Sequence, residues 1–178
     1  MKATESGKLK RINNCWVDIP RTIGPIYMHA LPDISDSKGA VYNDETAIGR
    51  STPIKTFSHG EARQISMTMH FYASDEFEAY DNFTYLAAIA SAIYPQKGNP
   101  YAPPPVCKIK CGRLLAPGVA SNGELCVILK NYSIKFPTDV AWIGEELLPS
   151  KIDIDTSWEV VYASDDLPGK ERILDEGK

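Results

Sequence analysis

The sequence predicts a mainly β fold of the α+β class, with two packed antiparallel sheets, as a sandwich or an open barrel, and one flanking α-helix at about 74–94. Three observations support this prediction. Several segments alternate apolar and polar residues with a period of two, as half-buried strands do. One segment has the three-and-four spacing of an amphipathic helix. The 178 residues, 43% of them hydrophobic, can build one sizeable core, so a single domain is expected.

Two short strand candidates open the fold, at 14–19 and 26–31, on either side of a turn bounded by prolines. Before them, residues 1–11 are polar and basic. The opposite end of the chain, 164–178, is polar as well. We expect both ends to be frayed or engaged with a partner.

Residues 33–58 contain few apolar side chains, and we predict that they form a long loop or an arm that carries short strands. A structureless loop of this length is uncommon in a compact domain and is usually functional or docked on a partner. This arm is therefore the first place to look for an interaction.

The next predicted strand, 63–72, leads directly into the helix. Ser74 or Asp75 can cap the helix, and Pro95 ends it. The strand is expected to turn four apolar side chains inward: Ile65, Met67, Met69 and Phe71. The helix is expected to pack through one apolar stripe: Phe77, Tyr80, Phe83, Leu86, Ala87, Ala90 and Ile93.

Three further strands are predicted at 106–115, 124–136 and 151–162. They follow the segment 98–105, whose consecutive prolines favour an extended polyproline conformation.

The faces of the last two strands follow from their alternation. In the strand at 151–162 the apolar side chains face the core, while Asp153 and Asp155 face outward. In the strand at 124–136 we expect an interruption at Lys130. The side chains expected to share one face of it are Cys126, Ile128, Tyr132, Ile134 and Phe136.

The charge and hydropathy of the chain disfavour several classes of protein. The net charge is −4 and the pI is about 5.4, whereas a protein that neutralises many phosphates is expected to be basic. The longest unbroken apolar run, 85–90, is too short to span a bilayer, and residues 1–10 do not resemble a secretory signal. We therefore expect no membrane association and a reducing compartment.

Four cysteines, Cys15, Cys107, Cys111 and Cys126, could form two disulfides by count alone. A reducing compartment favours free thiols instead, packed as small apolar side chains. The Cys107–Cys111 pair has three intervening residues rather than the two typical of zinc sites. A metal or cluster shared by Cys107, Cys111 and Cys126 remains the alternative.

The sequence contains no common catalytic or phosphate-binding motif, so no catalytic, cofactor-binding or metal residue is assigned and no enzyme is expected. Asp153 and Asp155 could bind a hard cation or act as an acid–base pair, but the outer face of an amphipathic strand explains them more simply. His59 and Glu61 could likewise form a metal or acid–base pair, but a solvated loop is the simpler interpretation.

Aromatic residues in loop-like segments favour interaction over reaction. Tyr42, Phe57, Tyr101 and Trp142 lie in such segments, and Tyr and Trp are enriched at protein interfaces.

Two stretches resemble proteins of contractile-tailed bacteriophages. The first, 34–71, carries the phrases ISDSK, IGRSTP and RQIS, and it resembles baseplate proteins. The second, 94–162, carries YAPPPV, PGV, YSIKF and LPSKIDIDTSWEVVY, and it resembles the tail-tube fold of tube-initiator proteins. Together the two stretches cover more than half of the chain.

The resemblance implies a tail-tube-like domain at 1–163 with an extended arm at about 33–58, and a C-terminal tail at 164–178. It implies a homo-hexameric ring in the virion baseplate, assembled in the host cytoplasm without a cofactor. Such a ring joins the central hub-spike to the tail tube, templates tube polymerisation and lets DNA pass without specific binding. Many relatives carry a C-terminal LysM-like domain, which we expect to be absent here.

Two alternatives remain open at this stage. A β-sandwich carbohydrate- or protein-binding module would present an aromatic platform, with Tyr101, Trp142 or Trp16 as candidates. A small metal-dependent enzyme would use the two aspartates Asp153 and Asp155, or the cysteines.

Overall fold

The computed structural model of the chain describes residues 11–161, apart from positions 21, 23, 47, 50, 96–100, 102 and 116–123. The structure is 51% strand with one helix, which confirms the predicted mainly β, α+β class. Residues 1–10 and 164–178 of the two polar ends, and half of the proline-rich segment 98–105, lie outside the described residues.

The described elements are eleven strands and one helix. In chain order they are β1 (Cys15–Asp18), β2 (Ile26–Tyr27), β3 (Asp33–Ser37), β4 (Ala40–Glu45), β5 (Ile54–Gly60), β6 (Gln64–Tyr72), α1 (Glu76–Ser91), β7 (Cys107–Cys111), β8 (Glu124–Lys135), β9 (Trp142–Ile143), β10 (Leu148–Pro149) and β11 (Lys151–Val160).

Seven strands form one antiparallel sheet in the order β2-β1-β7-β8-β11-β6-β3. The remaining four form two small antiparallel sheets, β4–β5 and β9–β10. Strand β11 lies between β8 and β6, and it pairs with β6 over all residues from Lys151 to Glu159. The seven-stranded sheet is therefore the main element of the fold, and the two small sheets are separate from it.

One face of the large sheet forms the core. As predicted, Ile65, Met67, Met69 and Phe71 of β6 are all at most 2% exposed. The sheet and the helix contribute to one continuous apolar cluster.

Two polar groups are buried in this core and bond to each other. Trp158 on β11 is fully buried, and its indole Nε1 donates to Thr156 Oγ1 at 2.8 Å. The Thr156 hydroxyl donates in turn to the backbone oxygen of Met67 on β6, at 2.9 Å. Buried polar groups are tolerated when they are paired in this way.

The predicted face of β8 is wrong for its first half. Leu125, Val127 and Leu129 are buried, whereas Cys126 is exposed. A register shift against β11, between Ser157 and Trp158, inserts one extra residue into β8. Because side chains alternate along a strand, the extra residue reverses the inward face. After the extra residue, the predicted inward face of β8 is correct for Tyr132 and Ile134, which pack against the core. It is wrong for Phe136, which is exposed.

Helix α1 begins where the sequence predicts, but only part of its predicted apolar stripe faces inward. Leu86 is buried, and Phe83 and Ile93 pack partly against the core. Asp75 is the N-cap, and its carboxylate accepts from the Glu78 backbone N–H at 2.8 Å. Phe77 and Tyr80, expected inward, are 83% and 47% exposed. The side chains that pack inward include Glu78 and Asn82, together with Ala79, Leu86, Ala88 and Ile89.

Specific polar contacts explain the rotation of the helix. The Glu78 carboxylate accepts from the backbone N–H of Ser74 at 2.9 Å and from its hydroxyl at 2.7 Å. The Asn82 amide donates to the backbone oxygen of Tyr72, at the end of β6, at 3.0 Å. These contacts turn the polar pair toward the sheet and leave Phe77 in solvent.

Candidate interaction surfaces

Most of the arm predicted at about 33–58 is a two-stranded ribbon, β4–β5, whereas its first residues form β3 at the edge of the large sheet. All seven residues of β5 are exposed, and so are five of the six in β4. The Tyr42 and Phe57 rings meet edge to face at 5.7 Å, yet these side chains are 54% and 59% exposed. Ile54 is 42% exposed. This ribbon therefore lacks most of the burial that stabilises a sheet. An isolated two-stranded hairpin of this kind is at best marginally stable in water.

The base of the arm is joined to the edge of the large sheet. Strand β3 precedes the arm and β6 follows it, and these two strands pair with each other. The Glu61 backbone N–H donates to the Gly39 carbonyl at 2.9 Å. The Glu61 carboxylate occupies the space that a side chain at position 39 would need, because a Cβ there would lie 2.1 Å from Glu61 Oε2. A side chain at position 39 would therefore have to displace the Glu61 carboxylate.

An ion pair fastens the same base. Arg63 Nε donates to both carboxylate oxygens of Asp36, at 2.9 and 3.0 Å, and its terminal nitrogen donates as well. The Arg63 side chain is only 9% exposed. Its hydrogen bonds hold the pKa of Asp36 below the usual range of a carboxyl group.

The structure separates the two members of the His59–Glu61 candidate. His59 lies on β5 rather than in a loop, and its Nδ1 is 3.1 Å from Ser58 Oγ. The Glu61 carboxylate is instead directed at Gly39.

Asp153 and Asp155 share the outer face of β11, as predicted, and both carboxylates bind neighbouring side chains. Asp153 Oδ1 is 2.5 Å from His70 Nδ1, and its second oxygen is 3.0 Å from Lys151 Nζ. Thr68 donates to Asp155 at 2.7 Å. Burial opposes the charged form of Asp153, but the hydrogen bonds from His70 and Lys151 outweigh it and lower its pKa. This arrangement is an internally neutralised polar face.

The cysteine alternative is contradicted. Cys107 and Cys111 are buried under the sheet, whereas Cys126 is exposed on its opposite face. A site shared by these three would have to pass through the sheet. Among the described residues, no group of three His, Cys, Asp or Glu side chains is placed to hold a metal ion.

An aromatic surface on the outer side of α1 was missed in the sequence. Phe77 and Tyr80 point outward, and the Tyr80 hydroxyl donates to Glu146 at 2.5 Å, in the turn between β9 and β10. The hydrogen bond with Glu146 raises the pKa of Tyr80. Phe83 stacks on Phe136 with ring centroids 6.2 Å apart. The signal for this surface was the spacing of Phe77 and Tyr80, which was assigned to the core from the sequence. Phe83, assigned with them, does pack partly against the core.

A shallow cleft of about 470 Å³ lies between the helix and the start of the described chain. The Arg11 guanidinium in it lies over the Tyr85 ring, 5.3 Å from its centroid. Arg11 also lies 4.0 Å from the carboxylate of Asp81. The cation in this cleft is thus already engaged by an aromatic ring and a carboxylate.

The three aromatic residues proposed as a sugar-binding platform lie on different elements. Trp16 is half-buried on β1, Trp142 is 44% exposed on β9, and Tyr101 is 95% exposed before β7. The structure therefore gives no specific support to a sugar-binding site built on them.

Comparison with known proteins does not identify a function for these surfaces. Neither the protein-family models nor the curated protein sequences match this chain. The likeness to phage baseplate and tube-initiator proteins therefore rests on the sequence phrases given above. Within the described residues, the helix is too short and too polar to cross a membrane.

Proposed function

We propose that this chain is a structural virion protein, a subunit of the ring that joins the central hub-spike to the tail tube in a contractile-tail baseplate and templates tube polymerisation. The observation that carries the proposal is the exposed arm, β4–β5. Alone, the chain leaves Tyr42, Ile54 and Phe57 in water. A homo-hexameric ring would bury them against a neighbouring copy, which stabilises both the arm and the assembly.

The edge of the large sheet next to the arm supports the same proposal. Strand β3 pairs on one side with β6 and forms the end of the sheet. Its other side therefore presents backbone N–H and C=O groups to which a strand of a neighbouring subunit can add. The edge is short and carries Asp33 and Asp36, features that limit indiscriminate pairing.

The outer face of the large sheet has the charge balance that a DNA-conducting lumen requires. Carboxylates and cations alternate across it, and Lys130 lies 3.0 Å from Glu159. A lumen with a basic excess would retain DNA through its phosphates, whereas a balanced face lets it pass without specific binding. The charged residues of this face include Asp18, Asp33, Lys108, Lys110, Glu124, Lys130, Lys135, Lys151, Asp153, Asp155 and Glu159.

The test removes the apolar contacts of the arm without touching the core. We expect the wild-type chain to form rings, alone or with the hub and tube proteins of the same particle, as seen by light scattering and negative-stain electron microscopy. The double variant Tyr42→Ser, Phe57→Ser should remain monomeric, because both side chains are exposed in the free subunit and bury area only on assembly.

A matched control replaces an exposed aromatic residue outside the arm. Tyr94→Ser removes a side chain that is 62% exposed just after α1, and it should assemble as the wild type does. Circular dichroism should show the same fold for all three proteins. A wild-type chain that stays monomeric with both the hub and the tube protein would refute the proposal, and so would an arm variant that assembles normally.

A further inference from the structure

Cys15 and Cys111 face each other across the β1–β7 pair. They are direct partners in the strand register, and their sulfur atoms are 2.9 Å apart. Each side chain is only 1% exposed. The two residues are 96 positions apart in sequence, so their proximity is a product of the fold.

The backbone places this pair at a position that a disulfide can occupy. The Gly112 N–H donates to the Asn14 carbonyl at 2.7 Å, which makes these two residues a hydrogen-bonded pair of the ladder. The Cys15 carbonyl accepts instead from Met28, on the β2 side. Cys15 and Cys111 therefore form a non-hydrogen-bonded pair, for which the Cα atoms lie about 4.5 Å apart, inside the range that disulfides span.

We propose that Cys15 and Cys111 are a redox site that forms a cross-strand disulfide on reaction with hydrogen peroxide. The Cys111 thiolate attacks one peroxide oxygen, the O–O bond breaks, and the departing hydroxide takes a proton to become water. Cys111 is then a sulfenic acid. The Cys15 sulfur attacks the Cys111 sulfur, the S–O bond breaks, and a second water leaves with the Cys15 proton. Two thiols are oxidised by two electrons, and one peroxide is reduced to two waters.

The electrostatics of the pair assign the two roles. The Cys15 thiol and Cys111 are within hydrogen-bonding distance, and this contact lowers the pKa of Cys111 while it raises the pKa of Cys15. A thiolate is the reactive form of cysteine, so Cys111 is the attacking residue and Cys15 the resolving one.

The other two cysteines provide an internal comparison. Cys107 is buried on the same strand as Cys111, and burial raises its pKa to about 11, which keeps it protonated. Cys126 is exposed on the opposite face of the sheet. Neither is opposite another cysteine, since Cys107 pairs with Val127 and Cys126 with Lys108.

The site lies where a covalent link would have a structural effect. Beyond β1 the sheet has only the two-residue strand β2. Short edge strands open more readily than central ones, which gives peroxide access to the buried pair. The disulfide would then fasten β1 to β7 and close a long chain loop, which stabilises the fold by restricting the unfolded chain. This inference stands independently of the proposed role in a phage tail.

The test uses the full chain, fully reduced and then titrated with hydrogen peroxide. After alkylation in denaturant, intact-mass spectrometry should show two thiols that the alkylating reagent no longer modifies. Peptide mass spectrometry should then show that Cys15 and Cys111 are linked, with the loss of two hydrogen atoms. The oxidised protein should melt about 10 °C higher than the reduced one. Dithiothreitol should reverse both changes.

Single substitutions separate this site from general thiol oxidation. Cys126→Ser should leave the disulfide intact, whereas Cys111→Ser should abolish it. Cys15→Ser should trap Cys111 as a sulfenic acid that reacts with dimedone. Should either buried variant fail to fold, the peptide map of the wild-type protein still locates the bond. Oxidation confined to Cys126, or a disulfide that forms only in unfolded protein, would overturn the proposal.

Discussion

The pair β11–β6 and the arm β4–β5 are both antiparallel ladders, yet their surroundings are opposite. Along β11 every second residue is buried, whereas no residue of either arm strand is. The backbone hydrogen bonds of the two ladders are chemically the same, and each contributes little net free energy in water. The difference shows that burial, rather than strand pairing, is what the large sheet has and the arm lacks as a source of stability.

The largest expected difference between the two regions comes from deleting one aromatic side chain in each. Trp158→Ala should lower the free energy of unfolding by about 3–5 kcal/mol, because it leaves a cavity under β11. Phe57→Ala in the arm should change it by less than about 0.5 kcal/mol, because the ring is mostly in water. Urea denaturation measures both values. An equal loss in the two variants would show that the arm packs on the core of the isolated chain.

A smaller difference is expected from replacing a threonine in each region. Thr156→Val leaves the buried indole N–H of Trp158 without its acceptor and should cost about 1–3 kcal/mol. Thr56→Val in the arm breaks only an exposed 3.1 Å hydrogen bond to Glu45 and should be nearly neutral.

Urea denaturation of the two threonine variants and of the double variant Thr156→Val, Trp158→Phe provides the measurement. The double variant should recover part of the loss, because it removes the unpaired donor. No recovery would indicate that the loss comes from packing instead.

The smallest expected difference concerns the response of two carboxylates to acid. The pKa of Asp36 is lowered in the folded state by its hydrogen bonds with Arg63. Its contribution to stability is therefore complete above the pKa of an unfolded aspartate, and it is lost as the pH falls through the lower, folded value. In the arm, Asp44 pairs with Lys55 at 2.6 Å, but both side chains are at least half exposed.

Urea midpoints measured from neutral to acidic pH compare these carboxylates. Asp36→Asn should flatten the acid-dependent fall of the midpoint, whereas Asp44→Asn should leave the profile unchanged. The reverse result would place the stabilising ion pair in the arm.

Strands β6 and β11 could be predicted residue by residue because their alternation is unbroken and only one face is apolar. In the first half of β8 both faces are apolar, since Leu125 and Val127 alternate with Cys126 and Ile128. Periodicity alone cannot choose between two apolar faces. The choice follows from the extra residue opposite β11, which is a property of the strand pairing.

The helix shows a second limit of sequence reasoning. Its position and its cap at Asp75 follow from local chemistry and were predicted correctly. Its orientation depends on Glu78 and Asn82, two polar residues that bond to groups outside the helix. Apolar spacing carries no information about such contacts, so the outward-facing Phe77 was assigned to the core.

The interaction surfaces also differ in whether the sequence alone predicts them. The arm could be predicted because a long segment of low apolar content is a local feature of the sequence. The contact between Asp153 and His70 and the approach of Cys15 to Cys111 could not, because each pair is distant in sequence and meets only through the strand register.

The position of β11 also has a consequence for the order in which the protein folds during synthesis. It joins β8 to β6, and of the described strands it is the last to leave the ribosome. Until then the sheet exists only as two separate parts, β2-β1-β7-β8 and β6-β3. The edge of β6 stays open to pairing with other nascent chains until β11 is made, whereas the edge of β8 is open only while the residues between Lys135 and Lys151 are added. Synthesis of β11 closes both edges at once, so the two parts of the large sheet are joined only when β11 has been made.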